Sequence, residues 1–265
     1  MTWGWYRVLM LLSLVLSPAS VAAEELCHLN PIGEANVATV LDGRTFTLDD
    51  GREVRLAGIE LPASTKHTGL ARAAKTQLAA LTVGRKLSLK RVGSNQDRYG
   101  RLVVYAFMQN EDQSLNAKLL AMGLARTMPA AATEGCVQTL FASEAMARAS
   151  GLGLWSDPAF LPLKADDAAS VLAERGRFGL IEGKVLSVHE AGPAIYVNFG
   201  QHWSSGFSVV ILKRNRRMFS AAGVEPKALD HHRIRVRGII ERRRGPIIEA
   251  EHPEQIEIID ERGMR

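Results

Sequence analysis

Beyond its first two dozen residues, the chain has little that would tie it to a membrane or to a thiolate metal site. It holds two cysteines, Cys27 and Cys136, in 265 residues. Two cysteines alone do not make a zinc site, which takes four ligands. After the N-terminus no stretch is long and apolar enough to cross a bilayer. No sequence motif repeats and no low-complexity tract occurs. Glu25-Leu26 ahead of Cys27 is not the small-residue setting that a lipid-attachment cysteine needs. Net charge is scarce in one half only: residues 24–176 carry 17 basic and 17 acidic side chains, residues 177–265 carry 15 and 11. A modest excess of this kind permits an anionic partner without demanding one.

What is present begins with an export signal. Arg7 precedes an apolar run from Val8 to Leu16, then Ser17-Pro18 and Val21-Ala22-Ala23. That order reads as a signal peptide over residues 1–23, cleaved after Ala23. The alternative is an uncleaved anchor, which the shortness of the run disfavours. The chain is therefore expected to be exported, periplasmic or secreted, with no stable membrane span after cleavage. In an oxidising compartment Cys27 and Cys136 are expected to form a disulfide, the alternative being two buried free thiols.

The fold is expected to be mainly β with helices. Val37 to Pro62 reads as three short strands joined by turns at Asp42-Gly43 and Asp49-Asp50-Gly51. Apolar residues alternate along Thr45–Leu48 and again at Val54 and Leu56, the period of half-buried strands. Leu70–Leu81 reads as a helix with Leu70, Ala74, Leu78 and Leu81 on one face. Strands over 86–92 and 102–108 flank the turn Asp97-Arg98-Tyr99-Gly100-Arg101. Helices are expected over 115–122 and about 134–150, the latter ended by Gly151 and Gly153. Residues 24–35 form an N-terminal segment, and 158–176 read as a linker with a short helix near 168–174. A second strand-rich unit follows over 177–260, before a tail at 261–265. Its five strands, with a helical piece between the third and fourth, give the order of an oligonucleotide-binding (OB) barrel.

Four motifs in order carry a resemblance: Asp42-Gly43-x-Thr45, Val54-Arg55-Leu56-x-Gly58-Ile59, Asp97-Arg98-Tyr99-Gly100-Arg101 and Gly153-Leu154-Trp155. Over residues 36–157 the chain resembles the staphylococcal nuclease (thermonuclease-like) family. The resemblance implies a nuclease-like OB barrel with three helices, and a phosphodiesterase site that uses calcium. It implies that Arg55 and Arg101 grip phosphate and stabilise its transition state. It places the metal carboxylates at positions 44 and 60, with the carbonyl of Leu61, near the turn aspartate Asp42. It places a general base at position 63.

This sequence departs from that pattern. Position 44 is Arg44, position 60 is Glu60 rather than aspartate, and position 63 is Ala63. Calcium takes six to eight oxygens, and a guanidinium removes one ligand while repelling the ion. A positioned base contributes roughly 10²–10⁴-fold in rate. Asp42 and Glu60 are then vestigial metal ligands, and no cofactor is expected. Arg44 has two readings. It either joins Arg55 and Arg101 in a metal-free anion clamp, or it is a turn residue, solvated or paired with Asp42 or Glu60. Arg55 has a plainer reading as a cross-strand partner of Glu53 or Glu60. His67 is either a base for a metal-free reaction or an exposed loop residue. No aromatic stands in Arg126-Thr127-Met128-Pro129-Ala130, where the family stacks a nucleotide.

In the second unit Arg233, Arg235 and Arg237 alternate with apolar residues, which places three guanidiniums on one strand face. With Tyr196 and Trp203 as stacking surfaces they are candidates for nucleic-acid binding. The alternative is a solvated face balanced by Glu241, Glu249, Glu251 and Glu257. The expected function is an exported protein of this family whose degraded nuclease-like domain binds nucleic acid or another phosphate-bearing anion. The rivals are an active secreted phosphodiesterase with an altered or absent metal, and an envelope structural or partner-binding protein.

Overall fold

Alternating apolar residues in the N-terminal half close five strands into a barrel. A computed structural model describes residues 27–62, 68–93, 96–129, 136–200 and 205–259. The expected signal segment, Ala63, His67, Trp203 and the tail at 261–265 lie outside the described residues. The first strands are β1 (Asn30–Val40), β2 (Thr45–Leu48), β3 (Glu53–Leu56) and β4 (Ile59–Glu60). Then come α1 (Thr68–Thr82), β5 (Lys86–Arg91), β6 (Leu102–Met108), α2 (Leu115–Ala121), β7 (Arg126–Thr127) and α3 (Val137–Ala149). The barrel runs β1-β2-β3-β6-β5 and returns to β1, with β3 parallel to β6 and the other pairs antiparallel. One long strand serves both edges because β1 is interrupted by irregularities at Pro31/Gly33 and Val37/Thr39, and a bulge bends a strand enough to close a sheet on itself.

Phe46, Leu48, Val54, Leu56, Leu87, Leu89 and Val104 fill the interior, each contributing about 1.5–3 kcal/mol on burial. At the end of the β3–β6 pairing the buried Asn116 of α2 ties the two strands together: its amide nitrogen donates to Ala57 O (2.8 Å) and to Val104 O (3.1 Å), which also accepts from Ala57 N at 2.8 Å. Gly43 is in the first turn for lack of room: a Cβ there would stand 2.5 Å from Ala74 Cβ of α1. Gly123 and Gly153, both at positive φ, bring the ends of α2 and α3 into backbone contact, with Leu154 N donating to Gly123 O at 2.8 Å. Cys27 and Cys136 form the expected disulfide, 109 residues apart in sequence. Closing a loop of that length restricts the unfolded chain by on the order of 4–5 kcal/mol.

The second unit consists of β8 (Leu163–Lys164), α4 (Ala168–Ala173), β9 (Phe178–Lys184), β10 (Ser187–Ala191), β11 (Ala194–Asn198) and β12 (Ser208–Leu212). It continues through α5 (Arg216–Ala221), β13 (Arg233–Ile239), β14 (Glu241–Arg242), β15 (Pro246–Glu249) and β16 (Ile256–Ile258). β10, β11, β12, β15 and β14 make one sheet, and β16, β13, β9 and β8 the other. β9 runs on into β10, and β13 into β14. The hydrogen-bonded circuit therefore repeats the first barrel, including a parallel pair between its third and fifth strands (β12 and β15). A helix stands between third and fourth strands in both, α1 in the first and α5 in the second.

The stretch expected as a linker needs correction. Residues 158–176 hold β8, which pairs with β9, and α4, and they give Ala165 and Val171 to the second core. The two barrels also share a small core of Ala147, Leu154, Trp155 and Phe160 against Leu180. Among the described residues no helix is long and apolar enough to cross a membrane.

Candidate functional site

Three neighbouring strands bring the first barrel's arginines together. Thr45 pairs with Arg55 across β2 and β3, and Leu56 N donates to Arg44 O (2.8 Å), so Arg44 sits beside Arg55. β3 runs parallel to β6 with Val54 opposite Leu102, which places Arg101, just before β6, on the other side of Arg55.

Arg44 is paired. Its Nη1 donates to Glu60 Oε2 and to Ile59 O, both at 2.7 Å, and its backbone N–H donates to Asp42 Oδ1 at 2.8 Å. A guanidinium nitrogen thus rests against a carboxylate and a carbonyl, the oxygen types that would hold a metal ion. Asp42 itself is exposed and turned to the Arg44 backbone. This donor set does not fit calcium: of the two acidic side chains, one is already neutralised by a fixed cation. Among the described residues no three acidic, histidine or cysteine side chains converge.

Arg101 is anchored to its own turn. Its Nε and Nη2 reach Asp97 Oδ2 at 2.8 and 2.7 Å, while Asp97 Oδ1 accepts the N–H of Tyr99 (2.9 Å) and of Arg101 (3.1 Å). Burial works against the charged form of Asp97, yet the Arg101 guanidinium and these N–H donors outweigh it and hold the carboxyl below its ordinary value. Tyr99, 66% exposed, lies under Arg101 and Arg98 at 5.0 and 4.8 Å from guanidinium to ring.

Arg55 is the under-compensated member. Neither Glu53 nor Glu60 is its ion-pair partner. Among the described residues its nearest carboxylate oxygen is Asp97 Oδ2 at 3.8 Å, which Arg101 already holds. Partial burial first, then the charges of Arg44 and Arg101, press its pKa below the ordinary arginine value. A half-buried cation crowded by two others is a seat for an anion with several oxygens.

The second unit's arginines are placed otherwise, and the expectation of a nucleic-acid face there is corrected. Arg233, Arg235 and Arg237 do alternate along β13, but their face turns toward the first barrel. Arg233 is the most exposed of the three, its side chain 54% exposed and 3.9 Å from Glu182. Arg235 is held by Glu182 (2.7 Å) and Glu257 (3.3 Å). Arg237, 1% exposed, donates from Nη1 to Thr127 O (3.0 Å) and to both Glu144 oxygens (3.2 and 3.1 Å), and from Nη2 to Glu257. Its guanidinium also covers the Phe141 ring at 4.4 Å. The cause is length: an arginine reaching across an interface keeps its fork hydrogen-bonded while its stem packs. Glu144 of α3 completes the lock, accepting from Thr127 N and from Arg148 Nη1 (2.9 Å). Burial pushes Glu144 up, but Arg237, Thr127 and Arg148 more than reverse it and leave the carboxyl below its ordinary value.

Two residues of this lock escaped the sequence reading. Glu144 falls four residues after Leu140 and three before Ala147, on the apolar side of α3, and a lone carboxylate on such a stripe demands a buried partner. Arg126 stands opposite Glu60 in the β4–β7 pair and donates to Phe178 O at 3.0 Å, so one short ribbon links the first barrel's site to the second barrel.

With this geometry in hand, the sequence comparisons locate the chain. Residues 53–157 match the family model described as Staphylococcal nuclease homologue. The matched stretch contains Arg55, Glu60 and Arg101, whereas Asp42 and Arg44 precede it. No curated protein matches the chain.

Proposed function

Starting from a staphylococcal nuclease-like domain over residues 53–157, we propose that this protein binds phosphate-bearing anions, nucleic acid foremost, without the family's calcium-dependent hydrolysis. The observation that carries the reading is Arg44 Nη1 at 2.7 Å from both Glu60 Oε2 and Ile59 O. By the resemblance, position 44 is where the family carries an anionic metal ligand; here it is a permanent cation, and Ala63 supplies no proton acceptor at the position of the base. Arg55 and Arg101 remain, and a phosphodiester oxygen offers Arg55 the compensation that Asp97 at 3.8 Å does not. Positioned arginines bind phosphate bidentately in the absence of any metal. The signal-like N-terminus and the Cys27–Cys136 disulfide support export to an oxidising compartment.

The test incubates purified protein with single-stranded DNA and RNA, once with calcium and once with chelator. Salt-sensitive binding without cleavage is expected, weakened roughly tenfold or more by Arg55→Ala, since hydrogen bonds to charged groups contribute about 1.5–3 kcal/mol. Cleavage that disappears in Arg55→Ala overturns the binding-only reading and makes the domain a working phosphodiesterase.

A further inference from the structure

The outer face of the second barrel carries a groove that the site above does not use. It has a volume of about 800 Å³ and lies over β10, β11 and β12 beside the β14–β15 turn. Strand register sets its lining: His189 pairs with Tyr196, and Asn198 with Ser208, all on the outward side of the sheet. The two rings stack 5.2 Å apart with 12° between their planes. A polar ladder holds the imidazole, with the Asn198 amide nitrogen 3.0 Å from His189 Nδ1 and Ser208 Oγ donating to Asn198 Oδ1 at 2.9 Å. Arg243 and Arg244, from the turn joining the barrel's fourth and fifth strands, form one wall. Arg243 also pairs with Glu249 at 2.5 Å.

We propose that this groove binds single-stranded nucleic acid, a base lying on the Tyr196–His189 pair and the backbone phosphates meeting Arg243 and Arg244. Three observations converge on that ligand class. The two rings already stand stacked with the imidazole hydrogen-bonded to Asn198, a surface on which a base can lie. The guanidiniums stand at the rim of the same groove, where a backbone would run. The face and the turn are those on which OB barrels hold oligonucleotides and oligosaccharides, and the excess of positive charge in residues 177–265 favours the charged polymer over the neutral one. This inference does not depend on Arg55 or Arg101.

The experiment measures fluorescence anisotropy of a labelled oligothymidylate of about 16 nucleotides, a length within the site size of one such barrel, with full-length protein in chelator at several salt concentrations. Tyr196→Leu keeps an apolar side chain over the sheet and is expected to weaken binding about tenfold, with Tyr196→Phe restoring it. Changing Arg243→Ala and Arg244→Ala together is expected to reduce the salt slope by about 1.4, the value for two single-strand phosphates. Arg55→Ala with Arg101→Ala leaves the groove's contribution in place, so failure of the first-barrel reading and failure of this one are distinguishable. Oligothymidylate binding insensitive to Tyr196→Leu overturns the proposal, as does a Tyr196-dependent affinity for neutral cellohexaose without one for oligothymidylate.

Discussion

The two barrels share a strand circuit but use arginine in opposite ways. In the first, Arg55 is half-buried and crowded by Arg44 and Arg101, and the two carboxylates near it, Glu60 and Asp97, are already held by those same arginines. In the second, Arg237 is fully buried and closed in by Glu144, Glu257 and the Thr127 carbonyl. The same side chain is left short of anion in one barrel and saturated in the other. Charge count does not separate them, since the second barrel's half is the more basic of the two. Compensation does: a guanidinium that already has its carboxylates holds protein to protein, and one that lacks them is available to a ligand.

The largest effect expected of breaking this contrast is at Arg237. Arg237→Met leaves the buried Glu144 with Arg148 as its one remaining ion-pair partner among the described residues, and removing one partner of a buried ion pair costs about 3–5 kcal/mol. The loss is read from the urea midpoint at unchanged slope. Arg55→Met, which removes a charge that its neighbours repel, is expected to shift the midpoint by under about 1 kcal/mol. Equal losses at the two positions would erase the distinction between a structural and a ligand-seeking arginine.

Much of this was legible in the chain, and what was not has a physical reason. Alternation at Thr45–Leu48 and Val54–Leu56 announced the barrel strands, because a half-buried strand has no other way to hide one face. Two cysteines behind a signal-like N-terminus announced the disulfide. α1 begins two residues earlier than expected, and α1 and α3 each end within one residue of the expected position, as helix ends do. The arginine face of β13 was readable only up to parity. Period two says which side chains share a face, and nothing in a single strand says whether water or another domain covers it. Glu144 was the available clue, an acid on an apolar helix stripe. The pairing of Arg44 with Glu60 was one of two open readings, because it depends on a contact sixteen residues away whose distance no local pattern fixes.

Acid should act on the lock between the barrels before it acts on the apolar cores. Glu144 is held below its unfolded value of 4.5, so its contribution is fully present above that value and is lost as pH falls through the lower, folded value. The groups facing it are Arg237, Arg148 and the Thr127 N–H, none of which titrates in that range. Urea midpoints measured from pH 7 downward are expected to stay level until the ordinary carboxylate range and then to fall. Glu144→Gln is expected to start lower and to fall less steeply. A variant that follows the wild-type curve in parallel would show that other carboxylates, Asp97 among them, account for the acid limb.

Another small effect sets the first barrel's arginine clamp against a metal site. Arg44→Asp removes the cation lodged against Glu60 and Ile59 O and adds a carboxylate beside Asp42. The variant loses an ion pair that is partly solvated, a change of about 1 kcal/mol or less. It is then expected to gain stabilisation by calcium. At a free ion concentration ten times the dissociation constant, mass action supplies about 1.4 kcal/mol, a rise of a few degrees in Tm for a chain of this size. The wild type, with Arg44 Nη1 already bonded to both oxygens, is expected to show no rise. If calcium stabilises the wild type as much as the variant, Arg44 yields its place to the ion, and the contrast between an arginine clamp and a metal site in this barrel fails with it.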